Sequence, residues 1–467
     1  MLTSLRVRTQ GAPSFAPSVR AGLAGVLAVA ACALWLPAAA HGAELPVYTA
    51  QPALERPAAI ARLKDLIAEA LQNNPELRAA RNEQEAAAHR IAPAGALDDP
   101  MLEAGVLNLP TSSFSFARED MTMKMLGLSQ RIPYPGKRDL KRDVAQKDAD
   151  SVALAYQETA NRIARELKVA YYDLALATQS ARIVQQNRAL VAQLLKLAEG
   201  RYTVAQGSQT DVLRAQTQLS KMSEELIKLE REQAMLAADA NRVLGRKAAA
   251  LPVAAEELQL TEMPLALQEL QEKALANRPQ LRALQMLVRR NEQALELARK
   301  DRYPDFDVRF AYGQRDRMPD GIARSDVVSL TVAMNLPVWG ADKTAPRIAE
   351  ALAMRDQALN VLEAQRNEAA SKLAQALATA AQNLRTARLY RSELVPQSQL
   401  TAQAALSAYQ VNRGEFAPLL ESQMMSFSYE LAYATAVASY NKALADIDFL
   451  TGGTLPATNP QADGSKP

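Results

Sequence analysis

The sequence predicts a mainly α chain with a small β part: a duplicated unit of long antiparallel helices plus two strand pairs. Three observations carry that expectation. First, landmarks return at an offset of 204 to 207 residues. Ala70-Leu71-Gln72-Asn73-Asn74-Pro75-Glu76-Leu77 recurs as Ala274-Leu275-Ala276-Asn277-Arg278-Pro279-Gln280-Leu281, and Ile132-Pro133-Tyr134-Pro135-Gly136 as Leu336-Pro337-Val338-Trp339-Gly340. Tyr202-Thr203-Val204-Ala205-Gln206-Gly207 recurs as Tyr409-Gln410-Val411-Asn412-Arg413-Gly414. A near-constant offset over most of a chain marks a repeated structural unit. Second, no proline lies between Pro135 and Pro252, and glycine occurs there only at 136, 200, 207 and 245. Third, short segments alternate apolar and polar residues with the period of a strand.

The elements follow in order. Residues 1–42 read as a signal peptide: Arg6, Arg8 and Arg20 precede an apolar run from Ala21 to Leu36, then small residues to Gly42. Two other fates for the leader stay open, a retained anchor and lipidation. Cys32, the only cysteine, ends Val29-Ala30-Ala31-Cys32, which resembles a lipobox. The three leader arginines account for the formal net charge of +3. The rest of the chain is neutral, with interleaved charges that suit solvated helix faces and give no argument for nucleic acid.

The first repeat spans 43–252. An extended arm leads to a helical stretch, 57–91, broken at Asn74-Pro75 because the residue before proline is disfavoured in a helix. Strands are expected at 100–109 and 120–131, joined by the turn-forming Pro110-Thr111-Ser112-Ser113-Phe114-Ser115. Helices 137–206 and 208–245 follow, the first about 100 Å long at 1.5 Å per residue. Gly207 and Gly414 are the expected helix-tip turns, glycine tolerating the positive φ that such turns use.

The second repeat spans 253–453, entered through a linker with Pro252 and Pro264. It holds a helix at 265–301, strands at 303–313 and 325–337, and helices at 342–411 and 415–450. Phe306, Val308, Phe310 and Tyr312 alternate with Asp305, Asp307 and Arg309, and Val328, Leu330, Val332, Met334 and Leu336 with Ser329, Thr331, Ala333 and Asn335. Residues 454–467 have the composition of a disordered tail.

Several function classes drop out. Beyond the leader there is no cysteine and one histidine, His89, so no disulfide framework or Cys/His metal cage is available. No nucleophile signature or glycine-rich phosphate loop accompanies the paired carboxylates, so no enzyme and no cofactor are expected. No segment after the leader holds 18 consecutive apolar residues. An exported chain of this kind is soluble or enters a membrane as a β-barrel, for which about ten residues per strand suffice. Four strands cannot close a barrel, since small ones need about eight. Strands must therefore be pooled, and three copies would supply twelve.

The duplicated Ala-Leu-x-Asn-x-Pro-x-Leu openings, the Tyr-x-Val helix tips and the strand and helix order resemble TolC-type outer membrane efflux proteins over nearly the whole chain. Within that resemblance, Asp99-Pro100-Met101 through Asn108-Leu109-Pro110, Asp120-Met121-Thr122-Met123, and Gln130 through Arg138 look like the heavy-metal-efflux branch. The resemblance implies a homotrimeric duct: a β-barrel in outer membrane lipid continued by an α-helical barrel across the periplasm. It also implies a periplasmic adaptor protein and an inner-membrane pump, a proton-driven heavy-metal pump for that branch. Metal cations are then the expected cargo, drugs or polypeptides the alternative. A periplasmic coiled-coil adaptor or scaffold is the reading from another class.

The resemblance also implies a periplasmic gate in which Asp211 pairs with Tyr409 or Arg413; Gly414 stands where the family has its arginine, with Arg413 one position earlier. Asp211 otherwise caps the returning helix. Met121, Met123 and Met125 alternate along one strand, and thioether sulfur suits soft ions such as Cu(I), although methionine also serves as apolar filler. Asp305, Asp307 and Arg309 are candidate lumen charges, or rim residues beside Asp301 and Arg302.

Overall fold

The computed structural model describes residues 62–247, 255–263 and 266–453, all within one unit of the chain, residues 57–467. The signal peptide, Cys32, the extended arm, prolines 252 and 264, and the tail 454–467 lie outside the described residues. The first half runs α1 (Leu63–Asn73), α2 (Pro75–His89), α3 (Ile91–Gly95), β1 (Met101–Leu107), β2 (Met123–Ile132), α4 (Lys137–Thr203) and α5 (Gln209–Val243). The second runs α6 (Leu267–Asn277), α7 (Pro279–Lys300), β3 (Phe306–Gln314), β4 (Val327–Met334), α8 (Ala345–Leu389), α9 (Val395–Gln410) and α10 (Phe416–Leu450).

The helix expected over 342–411 is interrupted. Wide π turns occupy Gly340–Thr344 and Tyr390–Leu394, directly before α8 and α9. Pro346 and Pro396 explain them: each removes an N–H and crowds the carbonyl four residues back, which the widened turn relieves. By contrast α4 runs 67 residues unbroken on strong helix formers.

Four helix ends share one closing pattern, in which a residue just past the helix bonds back five positions. Gln206 N–H donates to Arg201 C=O (2.8 Å), Arg246 to Asn241 (2.9 Å), Arg413 to Ala408 (2.9 Å) and Gly453 to Asp448 (2.8 Å). At the two tips the left-handed residues are Ala205 (φ 58°) and Asn412 (φ 63°), not the glycines. Gly207 and Gly414 are needed for a different reason. A Cβ on Gly207 would lie 3.0 Å from Arg201 Cβ, and one on Gly414 3.1 Å from the Tyr409 nitrogen.

Each half has its own apolar core. Leu66, Ala70 and Leu77 pack on Ile163, Leu167, Tyr171 and Leu174 of α4. Leu270 and Ala274 pack on Leu373 and Ala380 of α8 and on Tyr440, Leu444 and Ile447 of α10. Where α4 passes α10, Arg165–Asp446 (2.5 Å), Lys168–Asp448 (2.5 Å) and Lys442–Asp173 (2.7 Å) form a ladder of half-buried ion pairs. The segment 255–263 is pinned across both halves: Glu256 N–H donates to the Tyr171 hydroxyl and Met263 N–H to the Tyr440 hydroxyl.

The strands form one antiparallel sheet in the order β1-β2-β3-β4. Its register sets Leu102 opposite Leu128, Leu128 opposite Phe310 and Phe310 opposite Leu330. Directly opposed residues share a face, so the register sorts every side chain onto one of two faces.

Candidate functional site: the sheet faces and the helix tips

One face of the sheet carries Leu102, Val106, Leu126, Leu128, Ile132, Phe310, Tyr312, Val328, Leu330, Val332 and Met334, all exposed. Leu102 and Leu330 each keep 71% of their surface open. A contiguous apolar patch across four strands marks a surface meant for lipid or another apolar partner. No described helix is long and apolar enough to cross a membrane.

The opposite face is polar. It holds Glu103, Ser129, Arg131, Asp307, Arg309, Ser329 and Thr331, together with Met123 and Met125. Arg309 on β3 reaches across β2 to pair with Glu103 on β1. The Arg309 side chain passes over Gly127, which stands opposite Glu103; a Cβ there would be in ordinary contact with Arg309 Nε at 3.6 Å. Asp307 stands opposite Arg131. Met125 stands in register between Gly105 and Gly313, and a Cβ on Gly313 would come 2.6 Å from the Met123 sulfur, so the Met123 thioether rests on Gly313. Met121 precedes β2, exposed in the loop. Among the described residues no group of three or more His, Cys, Asp and Glu is placed to hold a metal ion.

Asp305 sits elsewhere, at the junction of sheet and helices. Its carboxylate accepts from Lys137 Nζ (2.9 Å) and from Tyr134 N–H (2.9 Å), with Arg131 at 3.7 Å. The buried Lys137 also donates to Tyr303 C=O (3.0 Å), and Tyr134 stacks on Tyr303 at 4.5 Å. Asp305 thereby ties the start of β3 to the end of β2 and the start of α4. At the other end of the strands, Arg324 of the β3–β4 loop donates to Phe116 C=O (2.9 Å) and Asp316 C=O (2.6 Å), and to Glu119 C=O. It thereby ties the two strand loops together.

The far ends of the long helices form two tips, residues 201–211 and 408–416. Ser208 is the N-cap of α5, its hydroxyl accepting from Asp211 N–H at 3.2 Å. Asp211 stands three residues into α5, half-buried, where its charge favours the helix N-terminus. Tyr409 is buried and Arg413 exposed. Among the described residues no hydrogen bond or ion pair joins Asp211 to either within one protomer. Arg201, which sequence reasoning missed, does join the tips: it donates to Tyr409 C=O and lies over the Tyr409 ring at 4.0 Å. Glu103, Lys137 and Arg324 were also missed. Only Lys137 carried a local signal, following the repeated Pro-x-x-Gly motif at the start of α4.

Burial perturbs groups along the helical body. The Tyr172 hydroxyl is pushed up to about 12, chiefly by burial and secondarily by neighbouring Tyr171. Burial also raises the Glu158 carboxyl above its ordinary value, outweighing the lowering effect of Arg278 at 3.3 Å.

The sheet has one lipid-suited face and one polar face, and it is carried on long helices, of which α4 with 67 residues reaches about 100 Å. The chain belongs to the outer membrane efflux protein family, whose model matches residues 66–246 and 270–453. It is a channel-family protein of the Gram-negative outer membrane extending into the periplasm, and not an enzyme, which sets aside the periplasmic scaffold reading. No curated protein sequence matches the chain. Among solved structures it is similar to the outer-membrane channel OprN at 20% identity, over 84% of this chain and 90% of that one, TM-score 0.72. It is similar to CusC at 16% identity, over 85% and 93%, TM-score 0.72. The outer membrane protein VceC of Vibrio cholerae matches at 18%, over 84% and 96%, TM-score 0.71. At such identities these likenesses establish the fold.

Proposed function

We propose that this chain is the passive outer-membrane duct of a tripartite export system for metal cations, working with a periplasmic adaptor and a proton-driven inner-membrane pump. The observation that carries the duct is the exposed apolar face running unbroken across β1 to β4. Three copies pool twelve strands, more than the eight or so that fill a small barrel with side chains. The apolar face then meets lipid and the polar face lines the lumen. Met123 and Met125 support the cargo reading: both stand on the polar face, Met123 over Gly313, where their sulfurs can meet soft ions in transit. Asp307 and Arg309 set lumen charge beside them.

The helix tips form the periplasmic gate. Asp211 pairs with Arg413 of a neighbouring copy rather than with Tyr409, whose hydroxyl is buried inside its own protomer; among the described residues no such pair exists within one protomer. An exposed pair of this kind contributes about 0–1 kcal/mol, which suits a latch that an adaptor opens.

Growth of a deletion strain on graded copper, silver, zinc, cobalt and cadmium, beside a hydrophobic dye, tests the cargo. Metal sensitivity restored by the wild-type gene is the expected result, with Met123→Leu/Met125→Leu restoring copper and silver tolerance less well than zinc. Dye sensitivity with unchanged metal tolerance would make the cargo an organic compound.

A further inference from the structure

We propose that Arg201 is a clasp that locks the two helical hairpins of one protomer together, and that a closed tip requires it. The inference rests on the reading of the helix tips as the gate. Arg201 ends α4, and Tyr409 lies in the last turn of α9, 208 positions away. Arg201 Nη2 donates to the Tyr409 carbonyl, among the last carbonyls of a helix, which also accepts from Asn412 N–H at 3.2 Å. The same guanidinium lies over the Tyr409 ring, its central carbon 4.0 Å from the ring centroid. Guanidinium alone among side chains does both at once, stacking on a ring while its planar edge donates.

The seat of this contact is rigid. Tyr409 is 3% exposed and meets Phe416 edge-on at 5.6 Å. The cluster around them takes Leu194 and Ala198 from α4, Ala215 from α5 and Leu419 from α10, so both hairpins share one core at the tip. The Tyr409 hydroxyl is buried and makes no hydrogen bond among the described residues. The link therefore runs through the ring face and the main-chain carbonyl rather than the phenol oxygen. A second bond between the hairpins, Asn412 Nδ2 to Gln206 Oε1 at 3.4 Å, crosses the gap beside it. The clasp works in one direction, because the duplication puts Ala408 where the first tip has Arg201.

With the clasp closed, the hairpins of a protomer move as one body and the tip can part only between copies. Without it the second hairpin is free to splay, and the aperture widens.

Single-channel conductance of the full-length protein in planar lipid bilayers tests this. Asp211→Ala serves as the variant that opens the gate between copies. Arg201→Ala and Arg201→Gln should each raise conductance several-fold, Arg201→Lys less, and Tyr409→Phe not at all. An oxidised Gln206→Cys/Asn412→Cys pair should return Arg201→Ala to the wild-type conductance. Wild-type conductance in Arg201→Ala or Arg201→Gln, with Asp211→Ala open, would overturn the clasp alone. Unchanged conductance in all of them would overturn the gate as well. A Tyr409→Phe channel as open as Arg201→Ala would move the link to the hydroxyl and overturn the clasp. Should Arg201→Ala fail to reach the outer membrane, Arg201→Gln carries the same outcomes.

Discussion

The two halves of this molecule trace nearly the same backbone path and use it differently. At the junction of the first short helix pair, Asn74 caps α2, accepting from Glu76 and Leu77 N–H, while its Nδ2 donates to Val243 C=O at 2.8 Å. The same position in the second half is Arg278, which no longer caps. It pairs instead with Glu158 of α4 and lies 5.4 Å from the Phe449 ring. At the tips, Tyr202 is 49% exposed and its counterpart Tyr409 is buried. Duplication thus preserved what the chain path demands, above all the close approaches at Gly245 and Gly452. A Cβ there would come within 2.6 Å of Asn73 O and 2.8 Å of Asn277 O. Side chains free of that demand diverged, and the second half came to hold the first.

The divergence can be broken open by paired substitutions. The largest difference is expected at the tips. Tyr409→Ala removes a buried aromatic and should cost about 4 kcal/mol locally, whereas Tyr202→Ala should stay within about 0.5 kcal/mol. Hydrogen exchange of the tip amides would read this as roughly a thousandfold faster opening in the first variant alone.

Next comes the short-helix junction. Arg278→Ala leaves Glu158 without its partner and should cost about 3 kcal/mol, the low end for a broken buried pair because the carboxyl can take up a proton. Asn74→Ala should cost about 1 kcal/mol as a lost cap. Thermal unfolding followed by circular dichroism in detergent checks both. The sheet faces should differ by less: Leu330→Arg on the apolar face destabilises insertion by about 2 kcal/mol, and Thr331→Arg on the polar face hardly at all, measured as the fraction recovered in the outer membrane.

The smallest effect is the pH dependence of Glu158. Its folded value is raised from 4.5, so the folded state binds the proton more tightly than the unfolded one. The contribution is fully present below pH 4.5 and fades as pH rises through the raised value. The stability of the wild type relative to Glu158→Gln should therefore fall over that interval; a rise would reverse the sign of the burial argument.

Local pattern carried most of the architecture. The absence of proline and the run of strong helix formers declare α4 from sequence, and alternation declares β3 and β4, down to which residues face together. β1 was fainter because Ala104 and Gly105 blur its alternation, and Met121 fell outside its strand because the loop ends two residues later. The π turns at Gly340–Thr344 and Tyr390–Leu394 were written in Pro346 and Pro396, which periodicity alone overlooks. What was not legible depends on contacts between distant residues. Glu103–Arg309, Lys137–Asp305 and Arg201–Tyr409 span 168 to 208 positions. Each member looks like an ordinary solvated charge or core aromatic until the fold brings it to its partner. At the tips the positive φ falls on Ala205 and Asn412 rather than on Gly207 and Gly414, where a Cβ would instead be crowded by the last helical turn.

The account turns on four strands being too few to close a barrel within one chain. Native mass spectrometry of the detergent-extracted protein tests it most directly. A single species of three copies is the result expected of a pooled barrel. A stable monomer would contradict it, because the apolar face and both sheet edges would then have no closed structure to belong to.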